Sequence, residues 1–192
     1  MLLTEPIVLE NAHVRLEPLR PEHAEGIGRA VVGLEQAWFT SAPAPDAAAA
    51  DVAQRLAWRD DGAMNPWTIL RDGVVVGQTT FCNIDQPSRH VEIGHTWLSP
   101  AVQRTAVNSA AKLLLLTHAF EACDAIAVEL RTHWHNRRSR AAIERLGAKQ
   151  DGVLRNHRIG PDGILRDTVV YSILPGEWPA VRRGLEAALA RG

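Results

Sequence analysis

A chain of 192 residues is long enough for one ordinary domain that buries roughly 70% of the surface its unfolded chain exposes, so it needs no disulfide or metal staple. With 46% hydrophobic and 22% charged residues it has the composition of a soluble globular protein. Lys plus Arg at 21 against Asp plus Glu at 22 leave a formal charge of -1, which argues against dedicated nucleic-acid binding. Cys82 and Cys123 form no C-x-x-C pair, and the first ten residues lack a basic run followed by an apolar core. The apolar run 113–116 is far too short to span a bilayer. A reducing, cytoplasmic setting with no membrane partner is the expectation.

In chain order, residues 13–19 alternate apolar and polar, the period of a half-buried strand. Pro21 then opens a helix over about 22–32, and the Pro-rich stretch 40–45 reads as a loop. Asp46 is the expected N-cap of a second helix running to about Arg59. Strands at 67–70 and 74–81 flank Asp72-Gly73, a hairpin signal, and 91–98 is a third strand stopped by Ser99-Pro100. A long helix over about 107–121 is followed by a β-branched strand at 126–132 and a helix over 136–146 with Gly147 as its C-cap. Two strands, near 149–155 and 167–174, are joined by a turn at Pro161-Asp162-Gly163, and 177–190 is an amphipathic helical tail. This mixed order predicts one α+β domain over residues 1–192, with a core of about 13–178.

The stretch from Trp97 to Lys112 places a loop of small and polar residues between a strand and a helix. The first N–H groups of a helix are unpaired and carry partial positive charge, so the loop suits a phosphate. Arg104 adds a cation, and Thr105 and Ser109 add hydroxyls. The same residues also read as an ordinary connection with Asn108 as N-cap. His133-Trp134-His135 follows a strand with no carboxylate cluster beside it, so no metal is expected.

This loop, with Glu92-Ile93-Gly94, Trp97-Leu98-Ser99-Pro100, Asn136-x-x-Ser139, Leu146-Gly147-Ala148, Gly152-Val153-Leu154-Arg155 and Asp167-x-x-x-Tyr171-Ser172 in that order, resembles the GNAT superfamily of acyl-CoA-dependent N-acetyltransferases. Within it, the set resembles the branch of the Rim-type ribosomal-protein N-terminal alanine acetyltransferases. In the family's pyrophosphate motif, Q/R-x-x-G-x-G/A, Gln103 matches, while Ala106 and Asn108 replace small residues that are usually glycine or alanine.

The resemblance implies a mostly antiparallel sheet of six to seven strands, flanked by helices and splayed between two parallel strands, 91–98 and 126–132. It implies acetyl-CoA as co-substrate, with the backbone at Trp97 and Leu98 pairing with the pantetheine arm. Gln103, Arg104, Thr105, Ala106, Val107, Asn108 and Ser109 would hold the pyrophosphate, and Asn136 and Ser139 would contact the arm. A homodimer is also a family expectation. The helical tyrosine that many relatives use as an acid is replaced by Ile143, leaving Ser139 or a water for that role. Strand alternation puts Glu92 on one face with Gly94 and Thr96, as the candidate base, and His95 on the other. The acceptor cleft would lie between the early helices and the loops near Trp38, 83–89 and 156–164. The implied reaction is acetyl transfer to a primary amine, either a protein N-terminal α-amine or a small-molecule amine. The altered loop leaves a second reading, a non-catalytic acyl-CoA-binding module.

Overall fold

The computed structural model describes residues 1–35, 42–160 and 163–191. Trp38 and part of the loop at 40–45, together with Pro161 and Asp162 of the expected turn, lie outside the described residues. Eight strands form one sheet: β1 (Leu9–Glu10), β2 (Arg15–Pro18), β3 (Met64–Arg71), β4 (Val74–Asp85), β5 (His90–Leu98), β6 (Ala127–His133), β7 (Lys149–Ile159) and β8 (Leu165–Ile173). Their spatial order is β1-β2-β3-β4-β5-β6-β8-β7, and every pair is antiparallel except β5 with β6. The sheet exceeds the six to seven expected strands because β1 is a two-residue strand with too little alternation to be read from sequence.

Local chemistry explains most boundaries. Asp72 and Gly73 have φ of 51° and 76°, the doubly left-handed turn that matches the twist of the β3–β4 hairpin. Of the helices α1 (Ala24–Ala30), α2 (Ala48–Asp60), α3 (Val107–Thr117), α4 (Arg137–Leu146) and α5 (Trp178–Leu189), α4 carries both expected caps. Asn136 accepts from the Ser139 N–H at 3.0 Å, and Gly147 sits at φ 103°. Asp46 does not cap α2. It belongs to a 3-10 turn, Pro45–Ala47, which delays the helix, and no side chain caps the start at Ala47. Beyond Thr117 the winding of α3 widens into a π turn over His118–Ala122.

The two sheet faces have different covers. One face carries Phe81, Ile93, Val128, Leu130, Val169 and Tyr171 and buries them under α3, α5 and Ile143 of α4. The other carries Trp97, which packs with Leu19, Ile27, Val31, Ala48 and Val52 under α1 and α2. Each buried aliphatic side chain contributes about 1.5–3 kcal/mol by leaving water. The apolar cover on this second face involves the β2–β5 half, while the β6-β8-β7 half there carries Glu129, Arg131, Thr168, Ser172 and Arg166 together with the apolar Val170 and Leu154.

Candidate active site

Strand β5 opens a slot in the middle of the sheet. It pairs with β6 only at His90↔Ala127, Val91↔Val128 and Glu92↔Glu129, after which the two parallel strands continue without pairing. The divergence coincides with a bulge. Thr80 pairs with Gly94 but Gln78 with Trp97, so β5 holds one residue more than β4 there, and His95 takes φ 49°.

The extra residue corrects the simple alternation. Glu92, Gly94 and Trp97 share the α1–α2 face, as the 2.9 Å bond from Trp97 Nε1 to Gln78 Oε1 confirms. Thr96 is turned to the α3 face, where its hydroxyl lies 2.8 Å from Thr79 Oγ1 and accepts from Lys112 Nζ at 2.9 Å. His95 lies within the bulge, so strict alternation no longer fixes the face it takes. Burial pushes its imidazole down to about 4, so it is neutral at pH 7.

Backbone directions along the slot follow from the same register. The Ser99 N–H donates to Val76 O at 2.8 Å, so Trp97, two residues earlier, also turns its backbone toward β4. Gly77 confirms this: a Cβ there would stand 2.4 Å from Trp97 O. The groups of Thr96 and Leu98 therefore face the slot, and Leu98 O is already bound by Gln103 Nε2 at 3.1 Å. Of the expected pair, Leu98 retains slot-facing backbone, whereas Trp97 contributes its ring to the wall.

Beyond β5 the loop 103–106 leads into α3. Gln103 spans the mouth, since its Oε1 also accepts from Arg138 at 2.7 Å. Thr105 Oγ1 donates to Val102 O at 2.7 Å, so this hydroxyl shapes the loop and its hydrogen is not offered to an anion. Arg104 is exposed at φ 62°, a strained conformation for a side-chain-bearing residue. Ala106 sits at φ -62°, so its methyl is accommodated where glycine is usual in the motif. Asn108 is not the N-cap. Ala106 holds that position without a side-chain bond, leaving the Asn108 carboxamide at the second helical position. The Val107 N–H is met by Thr105 Oγ1 at 3.4 Å, and the N–H groups of Asn108 and Ser109 in the first turn have no intrahelical partner to satisfy. This end of α3 fits a pyrophosphate.

On that basis, Asn108→Gly is expected to remove a side-chain donor and weaken acetyl-CoA binding by about 1 kcal/mol, roughly fivefold in Kd. Titration calorimetry reads this directly, and tighter binding would mean that the side chain obstructs the site.

Across the slot, on the α1–α2 face, sits Glu92. It is 7% exposed, and its Oε2 accepts from Asn83 Nδ2 at 2.6 Å and lies 3.5 Å from Arg131 Nε. Arg131 is held in turn by Glu129, at 2.6 Å. Burial raises the Glu92 pKa above the ordinary carboxylate value, against the opposing pull of Asn83 and Arg131. Gly94 leaves the space beside this carboxylate: a Cβ would come within 2.7 Å of Cys82 Sγ and 3.1 Å of Glu92 Oε1. A carboxylate with a raised pKa in a cleft can take a proton from an ammonium group.

Asn136 Oδ1 is committed to its cap, and Ser139 is half-buried in the first turn of α4. Tyr171 is fully buried on the α3–α5 face, donating to Glu144 Oε1 at 2.8 Å and accepting from Arg140 Nε at 3.1 Å. Asn83, Lys112, Arg131, Arg158 and Arg166 also border the site, and no sequence motif marks them. Among them Asn83 takes a left-handed φ of 48°, and Asn156, at φ 49°, lies beside the arginine-bearing end of β7.

The acetyltransferase (GNAT) domain model matches residues 13–149. The chain is 30% identical over 177 residues to the candidate ribosomal N-acetyltransferase YdaF of Bacillus subtilis (strain 168), covering 88% of this chain and 94% of YdaF. Among solved structures it is similar to a candidate acetyltransferase from T. thermophilus, with 38% identity, a TM-score of 0.84 and coverage of 96% of this chain and 98% of that one. Mycobacterium smegmatis RimJ in complex with CoA-disulfide is similar at 25% identity and a TM-score of 0.81, with coverage of 98% and 97%. The chain belongs to the GNAT acetyltransferase family.

Proposed function

We propose that the protein is an acetyl-CoA-dependent N-acetyltransferase of the Rim type, whose acceptor is a primary amine, foremost the α-amine of a protein N-terminus. The observation that carries the reading is the juxtaposition across one slot. On one side lies the anion-suited start of α3, and on the other lies Glu92, the last β5 residue paired with β6 before the strands part.

When bound, acetyl-CoA supplies an activated acyl carbon, and its transfer breaks the C–S bond as the C–N bond forms. Leu98 and Thr96 backbone groups and the Asn136 amide orient the arm, and the start of α3 holds the diphosphate. Glu92 accepts the proton that the acceptor ammonium must lose, directly or through water. Ser139, beside Asn136, donates toward the departing sulfur. Apolar packing under α1 and α2 around Trp97 walls one side of the cleft. An α-amine, with a pKa near 8, offers roughly 230 times more neutral form at pH 7 than a lysine near 10.4. That suits a site with one buried carboxylate as its base.

The test is thiol release from acetyl-CoA with a panel of peptides and small amines, alongside thermal stabilisation by coenzyme A. At a hundredfold excess over Kd, binding should stabilise by about 2.7 kcal/mol. Stabilisation with no thiol release for any amine would favour the non-catalytic binding module, and absence of stabilisation would reject both.

A further inference from the structure

The acceptor side of the cleft carries two arginines to which the proton-transfer scheme assigns no role. β8 pairs with β6 through Glu129↔Ser172, Arg131↔Val170 and His133↔Thr168. The two-residue period then places Arg166 on the same face as Glu129 and, through Glu92↔Glu129, on the face of Glu92. Arg158 of β7 lies directly opposite Arg166 in the register, beyond the irregularity that contains Asn156. Two like charges facing each other across adjacent strands destabilise a sheet.

Neither arginine has a carboxylate within ion-pair distance among the described residues, although most other arginines of the sheet and helices do. Arg166 Nε is buried with no hydrogen-bond partner. The nearby Asp167 alternates to the other face, where it accepts from Arg155 Nε at 2.6 Å and the Asn156 N–H at 2.8 Å. The carboxylate of Glu92 is taken by Asn83 and Arg131.

A buried guanidinium N–H without an acceptor is costly, and a facing pair of guanidinium forks is the arrangement that a carboxylate satisfies. We propose that Arg158 and Arg166 bind a carboxylate carried by the acceptor, so that the preferred substrate is an amine with an acidic group a few bonds from its nitrogen. This rests on the transferase reading above and names the substrate class of the same site. Both arginines lie on the Glu92 face of the sheet, so the bound anion would sit on the same side of the slot as the candidate base.

The experiment compares kcat/KM for matched acceptors with acetyl-CoA. One arm uses peptides with Asp or Asn as the second residue, and the other uses a small amino carboxylate and its amide. The wild-type protein should prefer the acidic member tenfold or more in at least one arm. The arm that shows it identifies the source of the carboxylate. Arg166→Gln should raise KM for the acidic acceptor tenfold or more and leave the neutral acceptor and coenzyme A affinity unchanged. Arg158→Gln, at an exposed position, should do the same in part and serves if the buried variant fails to fold. Equal use of acidic and neutral acceptors by the wild-type protein overturns the proposal while leaving the transferase reading intact. An equal loss on both acceptors in the Arg158→Gln variant also overturns it. No turnover on any amine overturns both, and coenzyme A stabilisation then separates a binding module from a non-binder.

Discussion

Glu92→Gln is expected to reduce turnover by about 10²- to 10⁴-fold at pH 7 while leaving acetyl-CoA affinity within about twofold. Glu92 sits on the α1–α2 face of the slot, whereas the proposed cofactor contacts lie on the slot-facing backbone of β5, on the loop and on α3 and α4. Glutamine keeps an oxygen that can accept from Asn83 Nδ2 but cannot take a proton from an ammonium group. The gap between wild type and variant should narrow as pH rises toward the acceptor's own pKa, because the free amine then forms unaided. The folding control has a defined sign. Burial raises Glu92, so between the ordinary carboxylate pKa and the raised value the folded state binds more protons than the unfolded one, and stability falls as pH rises through that window. The variant lacks this penalty and should be at least as stable as wild type at neutral pH. An inactive but unstable variant would point to a structural role, and a fully active one would show that Glu92 is not the base.

Lys112→Met should produce the largest change in stability. Lys112 is 6% exposed in α3, its Nζ donates to Thr96 Oγ1 at 2.9 Å, and burial lowers its pKa from 10.5 to about 7. Below about pH 7 the ammonium is charged in both states and the desolvation cost is fully present. Between about 7 and 10.5 the unfolded chain holds a proton that the folded chain has lost, so wild-type stability rises with pH. At about 1.4 kcal/mol per unit, the shift corresponds to several kcal/mol. The methionine variant should therefore be more stable than wild type at pH 6, with the gap closing by about pH 10, as read from denaturant unfolding across pH. It should also be slower, because Lys112 tethers Thr96 within the bulge that opens the slot. A gap of the same size at every pH would show that the lysine is not held as an uncompensated buried cation.

Features whose chemistry is local were legible in the sequence. The Asp72-Gly73 turn, the Asn136 cap and the Gly147 stop all stand where their side chains, or lack of one, demand. Glu92 and Gly94 share the face that alternation predicts because they precede the bulge. Past it the two-residue period fails: one inserted residue sends Thr96 to α3, and neither histidine nor threonine signals a left-handed φ in the way glycine would. The pairing of Arg158 with Arg166 is equally hidden, since it depends on a register shift between Leu154 and Arg158 set by two strands together. Nothing local in the sequence marks Lys112 as buried, and only the packing of α3 against the opened sheet shows it to be so. At Asp46 the local signal misleads instead. A good capping residue is present, but the 3-10 turn begun at Pro45 moves the N-cap past it, to Ala47.

On the proposed reading, the slot delivers an acetyl group to an amine beside Glu92. Its most direct test is mass spectrometry of a mixed pool of peptides, each with one free α-amine and one lysine, incubated at pH 7 with acetyl-CoA and the wild-type protein or Glu92→Gln. Acetylation should fall on the α-amine with the wild-type protein, with an equal amount of thiol released, and should be slight with the variant. Modification confined to lysine side chains, or the same modification with and without the protein, would contradict it.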